Sequence, residues 1–202
     1  MRDIRLNFIN NSDDQNNSQI VIFQKNSGIT PIAWQVIEHA GKGWHHPFVY
    51  SETYSLEVED DFGNFSNMVA AEPGQQWKAI AGPTGHELVM TDEPTQRRGI
   101  EVMNDISYSP IRAHLYRSGK KVASVFLPPG GARYVFEFQP TITIAVMHNA
   151  KEGIWLPEQT EEWHEAEISL LGIVSADIVM TGGGSGDDAA PIVFTVQNIS
   201  HQ

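Results

Sequence analysis

The sequence predicts an all-β protein made of two tandem, internally duplicated antiparallel β-sandwich units, either separate or fused into one pseudo-symmetric domain, and three observations carry that expectation. Short runs rich in Val, Ile, Phe, Tyr and Thr recur along the 202 residues, alternating apolar with polar positions as a half-buried strand requires. Clusters of Gly, Pro, Asn and Asp separate them, and there is little convincing helical periodicity. The third observation is repetition. Residues 100–107 (I-E-V-M-N-D-I-S) have variants at 20–27 (I-V-I-F-Q-K-N-S) and 193–200 (V-F-T-V-Q-N-I-S), each with an amide fifth and a serine eighth, the punctuation of a strand entering a turn.

Taken in order, Ile4, Leu6 and Phe8 alternate as an edge strand, and residues 10–18 (N-N-S-D-D-Q-N-N-S), with nothing to bury, read as a solvated loop. After residues 20–27, Thr30-Pro31 marks a turn, and Ile32, Trp34 and Val36 share one face of a strand that stops at Gly41-Lys42-Gly43. Residues 48–50 and 54–58 are two further strands, the second with Glu57 and Glu59 on a wet outer face. Residues 60–64 turn the chain, and 68–71, 77–81 and 88–90 complete the first unit. The polar, proline-containing stretch 91–99 is the expected boundary, which gives units at 1–98 and 99–202. From there the order restarts: Pro31-Ile32 answers to Pro110-Ile111, Gly41-Lys42 to Gly119-Lys120, Phe48-Val49 to Phe126-Leu127, and residues 88–91 to 178–181. The last copy of the motif is expected to close the second unit's sheet beyond the glycine-rich loop 182–188, and so to remove an exposed edge.

Composition narrows the function. A formal net charge of −12 is unsuited to a phosphate backbone, and only Arg97-Arg98 and Lys120-Lys121 pair up, so nucleic acid is not an expected partner. No run approaches the roughly 18 apolar residues of a membrane helix, so integral membrane association is not expected, and the first ten residues lack a signal-peptide pattern. The cytoplasm is the default compartment, with secretion by a signal-peptide-independent route left open. The lack of cysteine excludes disulfides, thiol nucleophiles and thiolate metal sites. Neither a G-x-S-x-G elbow nor a phosphate-binding glycine loop occurs.

Features present in one unit only are the better site candidates, since shared ones such as Trp77 and Trp163 serve packing. The most conspicuous is Gly43-Trp44-His45-His46-Pro47-Phe48, in which His45 and His46, with Glu52 or His39, form a candidate divalent-metal site with a position left for water. The stretch G-W-H-H-P-F-V-Y-S-E is similar to the first cupin motif, but its histidines are adjacent where cupin ligands alternate. Residues 158–167 gather five carboxylates round Trp163 and His164, a second candidate for acid–base work or Ca²⁺. Residues 183–191 match the spacing of one calcium-binding β-roll repeat. The balance favours a non-enzymatic module without a cofactor. It binds a protein, a glycan or a small ligand, or assembles as a homo-oligomer, through the loop-borne aromatics Trp44, Phe48, Tyr50 and Trp155. A metal-dependent enzyme centred on His45 and His46 is the alternative. A membrane-acting effector of the β-sandwich toxin type, inserting Trp and Tyr at the headgroup level, is the third reading.

Overall fold

The alternating runs fold into strands. In the computed structural model, which describes residues 3–14, 18–26, 28–92, 98–157, 164–185 and 189–201, sixteen strands form four four-stranded sheets, and none of these residues is helical. The chain divides into two compact units. One comprises Met1–Lys25, Ile32–Glu52 and Pro140–Gln202, the other Asn26–Pro31 and Thr53–Gln139.

In the first unit, β1 (Asp3–Asn10) and β15 (Ile173–Gly183) run parallel at the centre of one sheet, flanked by β4 (His45–Ser51) and β16 (Ala190–His201). Its other sheet is antiparallel throughout, in the order β14 (Glu165–Ser169), β13 (Thr141–Met147), β2 (Gln19–Phe23) and β3 (Gln35–Ile37). The second unit repeats this plan. There β7 (Gln76–Gly82) and β9 (Ile100–Asn104) are the parallel pair, flanked by β8 (Gly85–Met90) and β12 (Arg133–Phe136). The antiparallel sheet runs β11 (Lys120–Leu127), β10 (Ile111–Arg117), β5 (Tyr54–Glu59), β6 (Val69–Ala71). Both units thus depart from a purely antiparallel design by one central pair.

Place by place, β1 to β4 in one unit correspond to β9 to β12 in the other, and β13 to β16 to β5 to β8. Buried asparagines fix the correspondence. Asn10 donates its backbone N–H to Trp44 O and accepts from Gly43 N–H, as Asn104 does with Ala132 and Gly131. The two side chains also match: Oδ1 accepts from the N–H two residues on, Ser12 or Ile106, and Nδ2 donates to Ala40 O or Pro128 O. Each amide satisfies turn backbone that would otherwise be buried without partners. Residues 100–104 therefore stand where β1 stands, one strand earlier than the likeness to residues 20–27 suggests.

The compact units are not residues 1–98 and 99–202. β8 and β9, on either side of the expected boundary, lie in one sheet, and each unit draws four strands from each half of the chain. The parallel pairs join the halves, because β1 lies beside β15 and β7 beside β9, each pair with one member on either side of the expected boundary. Likewise β16 pairs with β15 in the unit that contains β1, and it forms an outer edge there instead of removing one.

Packing follows the alternation in most strands, with Leu6 and Phe8, Leu56 and Val58, and Ile178 and Met180 all buried. β2 is an exception, because residues 20–23 are buried without a break. Its second face is covered by the segment after β13, where Leu156 joins Val21, Phe23, Ala33, Ala145 and Met147 in one apolar cluster. Arg117 is fully buried in the second unit, its guanidinium 5.0 Å and 5.2 Å from the stacked rings of Tyr54 and Phe138, with Nη2 donating to Tyr54 Oη at 2.6 Å. Ring faces and a phenol oxygen thereby take the place of water around the cation.

Strand sharing has a direct consequence. Replacing residues 93–97 with a protease site and cutting there is expected to give two fragments, β1 to β8 and β9 to β16, that co-elute in native size-exclusion chromatography and part only in denaturant. Fragments separating in native buffer would contradict this strand assignment.

Candidate functional site

A strand with one wet face turns its polar residues outward. On β10 these are Arg112, His114 and Tyr116, and cross-strand pairing sets them in three rows: Phe126–Arg112–Glu59, Ser124–His114–Glu57 and Lys121–Tyr116–Ser55. The loop after β5 folds back over this face, held by Ser66, whose N–H donates to Val58 O and whose Oγ accepts from Val58 N–H. Phe65 comes to lie over His114, with ring centroids 5.9 Å apart.

That arrangement leaves His114 1% exposed and Ser124 6% exposed, so their polar atoms must find partners inside. They do so in a chain: Ser124 Oγ is 2.9 Å from His114 Nδ1, and His114 Nε2 is 2.9 Å from Glu59 Oε2. In a second contact across the face, Tyr116 donates its hydroxyl to Glu57. Burial pushes the His114 pKa down, against the pull of the Glu59 carboxylate, which favours a neutral ring that donates to Glu59 and accepts from Ser124. Burial, reinforced by Glu57, pushes the Tyr116 pKa up. Ser, His and Glu are the parts of a hydrolytic triad, but here the serine oxygen is buried and committed to the ring.

Beside Phe65 lies a cavity of about 430 Å³, with Asp60, Asn64 and Phe65 on its loop side, Thr84 at the β7–β8 turn, and His86 and Glu87 on β8. Asp60 is fixed by Asn64, through side chain and backbone, and by Phe62 N–H, and these bonds hold its carboxyl below the usual range. His86 is different: its Nδ1 is buried and has no hydrogen-bond partner among the described residues. In the first unit the equivalent sheet face, on β2 and β13, carries the apolar cluster instead.

The residues singled out in the sequence are dispersed. Trp44 and Trp155 are exposed at 60% and 46%, but Trp44 leads into β4 while Trp155 pairs with Ile32 ahead of β3. Phe48 and Tyr50 are not loop residues. They alternate on β4 with exposed Val49, are buried, and meet Trp34 edge-on at 6.3 Å and 6.0 Å. His45 and His46 are neighbours on a strand and point to opposite faces, His45 hydrogen-bonding Asn7 at 3.3 Å and His46 packing against Phe8. Glu52 lies past the far end of β4, roughly 20 Å along at about 3.3 Å per residue, so the three do not converge on an ion. No group of three or more His, Asp or Glu among the described residues is placed to hold a metal. His39, in left-handed backbone (φ 55°), lines a separate cavity with Gln19, Glu38, His148 and Asn149. Of the acidic run, residues 158–163 lie outside the described residues, and Glu165 pairs with Lys25 at 2.7 Å. In the glycine-rich loop, residues 186–188 also lie outside them. The chain of Ser124, His114 and Glu59 left one sequence trace, the alternation R-x-H-x-Y on β10, since its members come from three strands.

No family model, curated protein or solved structure matches the chain.

The buried ring makes stability depend on pH in a defined window. With its folded pKa below the ordinary 6.5, the stability that His114 contributes is complete above that value and lost as pH falls toward the folded one. Urea midpoints at about pH 7.5 and about pH 5.5 should therefore differ more in the wild type than in His114→Gln. The lowered carboxyls of Asp60 and Asp177 act only below 3.8 and do not enter this window. Equal pH dependence in the two proteins would contradict the assignment.

Proposed function

We propose that the protein is a non-enzymatic binding module whose second unit takes a small polyhydroxylated ligand, of mono- to disaccharide size, in the cavity beside Phe65. The observation that carries this reading is His86, a residue that lines the cavity and whose Nδ1 is buried without a hydrogen-bond partner among the described residues, a cost that a ligand drawing on the ring would relieve. Other features support the same ligand class. A volume of about 430 Å³ is within the usual range for small-molecule sites. Asp60 and Glu87 offer carboxylate oxygens to hydroxyl groups, with Thr84 and Asn64 able to both give and take hydrogen bonds. Phe65, 54% exposed, offers a ring for the apolar face of a sugar. Ser124, hydrogen-bonded to the His114 ring that lies under Phe65, acts as support for that imidazole and not as a nucleophile.

A glycan array followed by isothermal titration of its hits tests the reading. Binding is expected, with Phe65→Ala and His86→Ala each weakening it about tenfold or more, roughly 1.4 kcal/mol. Phe126→Ala, exposed on the same sheet but outside the cavity, is expected to bind normally. An array without hits, or affinity unchanged in both cavity variants, would sink the proposal.

A further inference from the structure

Eight strands lie at sheet edges, and a sheet edge invites pairing with another chain unless something deters it. Seven carry a deterrent. β3 and β6 are three residues long; β4 contains Pro47, which has no N–H to offer; β8 carries Glu87; β11 carries Lys120 and Lys121; β12 carries Arg133 in four residues; and β14 carries Glu165 and Glu167. β16 differs in that its proline, Pro191, is its second residue and leaves the rest of the strand unguarded. It is twelve residues long without a Lys, Arg, Asp or Glu, and among the described residues no strand pairs with its outer side.

Its side chains show the same lack of closure. Phe194 and Val196 pair with the core residues Met180 and Ile178, yet they are only half-buried, as is Ile192, while Val193 on the opposite face is 48% exposed. The irregularity at Asn198, which has φ 50° and donates to Asp177, ends the regular stretch. Pro191 bounds it at the other end. Residues 192–197 (I-V-F-T-V-Q) remain, six residues of high β-propensity with a free edge.

We infer that β16 is a homodimer contact, pairing antiparallel with β16 of a second copy to join two four-stranded sheets into one of eight. Charge does not oppose a second copy at this edge. Copies of a chain with net charge −12 repel one another over most of their surface, and this uncharged edge is where two can meet without opposing carboxylates. The contact is also self-complementary. With Thr195 on the two-fold axis, Phe194 of one copy lies across from Val196 of the other, and the half-buried row becomes continuous across the join. The proposal is independent of the cavity in the second unit, which contributes no residue to β16.

Light scattering coupled to size exclusion tests it, using the full chain and Thr195→Glu, which sets two carboxylates face to face on the axis from an exposed position. The wild type is expected at twice the chain mass of 22.5 kDa, and the variant at the chain mass with unchanged circular dichroism, its dimerisation weakened at least about tenfold. Amide exchange of the wild type is a second readout: residues 192–197 should slow as concentration rises. A wild type that stays at chain mass at about 100 µM, a Thr195→Glu variant that still dimerises, or concentration-dependent protection confined to other strands would each overturn the inference.

Discussion

The parallel pairing of β1 with β15 and of β7 with β9 is the constraint on which the rest of the architecture depends. Each sandwich has at its centre two strands from opposite halves of the chain, so neither half is a unit by itself. The connections explain why the chain is arranged this way. Only Glu52 and Thr53 lie between β4 and β5, and only residues 137–140 between β12 and β13, and both links lead from one unit to the other. A two-residue link spans about 10 Å, whereas folding back from the edge of one sheet to an inner position of the facing sheet requires the ~10 Å between sheets plus at least one ~4.8 Å strand spacing. The longer link from β8 to β9, residues 91–99, stays inside one unit. Short hinges favour strand exchange, and here the exchange takes place within one chain.

On this common frame the two units differ where a site would be built. The matching asparagines, Asn10 and Asn104, hold the same corner in each, and the parallel pairs are set in the same register around them. The outer faces of the antiparallel sheets then diverge. In one unit Leu156 seals Val21 and Phe23 into a dry cluster; in the other Phe65 covers a hydrogen-bonded chain from Ser124 through His114 to Glu59. Apolar packing is the less expensive way to cover a sheet, since buried polar groups bring stability only when every partner is in place. Retaining polar groups on one face of one unit is therefore the stronger indication of use, and it is beside this face that the Nδ1 of His86 has no hydrogen-bond partner among the described residues.

Much of the strand structure was legible in the sequence, because alternation such as Ile4, Leu6, Phe8 or Tyr54, Leu56, Val58 reports directly on which side of a strand is buried. The register of the repeat was not. Residues 20–27 resemble 100–107 because strands and turns use few residue types, and the informative match was a single buried asparagine whose role is visible only in its hydrogen bonds. The unit boundary misled for a related reason. Polar, proline-containing residues 91–99 look like a linker, while the true passages between units are as plain as Glu52-Thr53. Aromatic residues in Gly43-Trp44-His45-His46-Pro47-Phe48 suggested a surface site, but strand alternation turns Phe48 toward Trp34, leaving Trp44 outside. Ser124, His114 and Glu59 were out of reach of any linear pattern, being joined only by pairing across β11, β10 and β5.

The absence of cysteine allows strand exchange to be tested by engineered disulfides without background. Arg5 and Ser175 are partners in the β1–β15 register, so Arg5→Cys with Ser175→Cys should oxidise to an intramolecular bridge that peptide mass mapping places between residues 5 and 175. If each half of the chain instead closed on itself, β1 would lie beside β7, with Asn7 taking the place that Glu101 holds opposite Gln76. Efficient bridging of Asn7→Cys with Gln76→Cys, and none between residues 5 and 175, would contradict the shared-strand architecture.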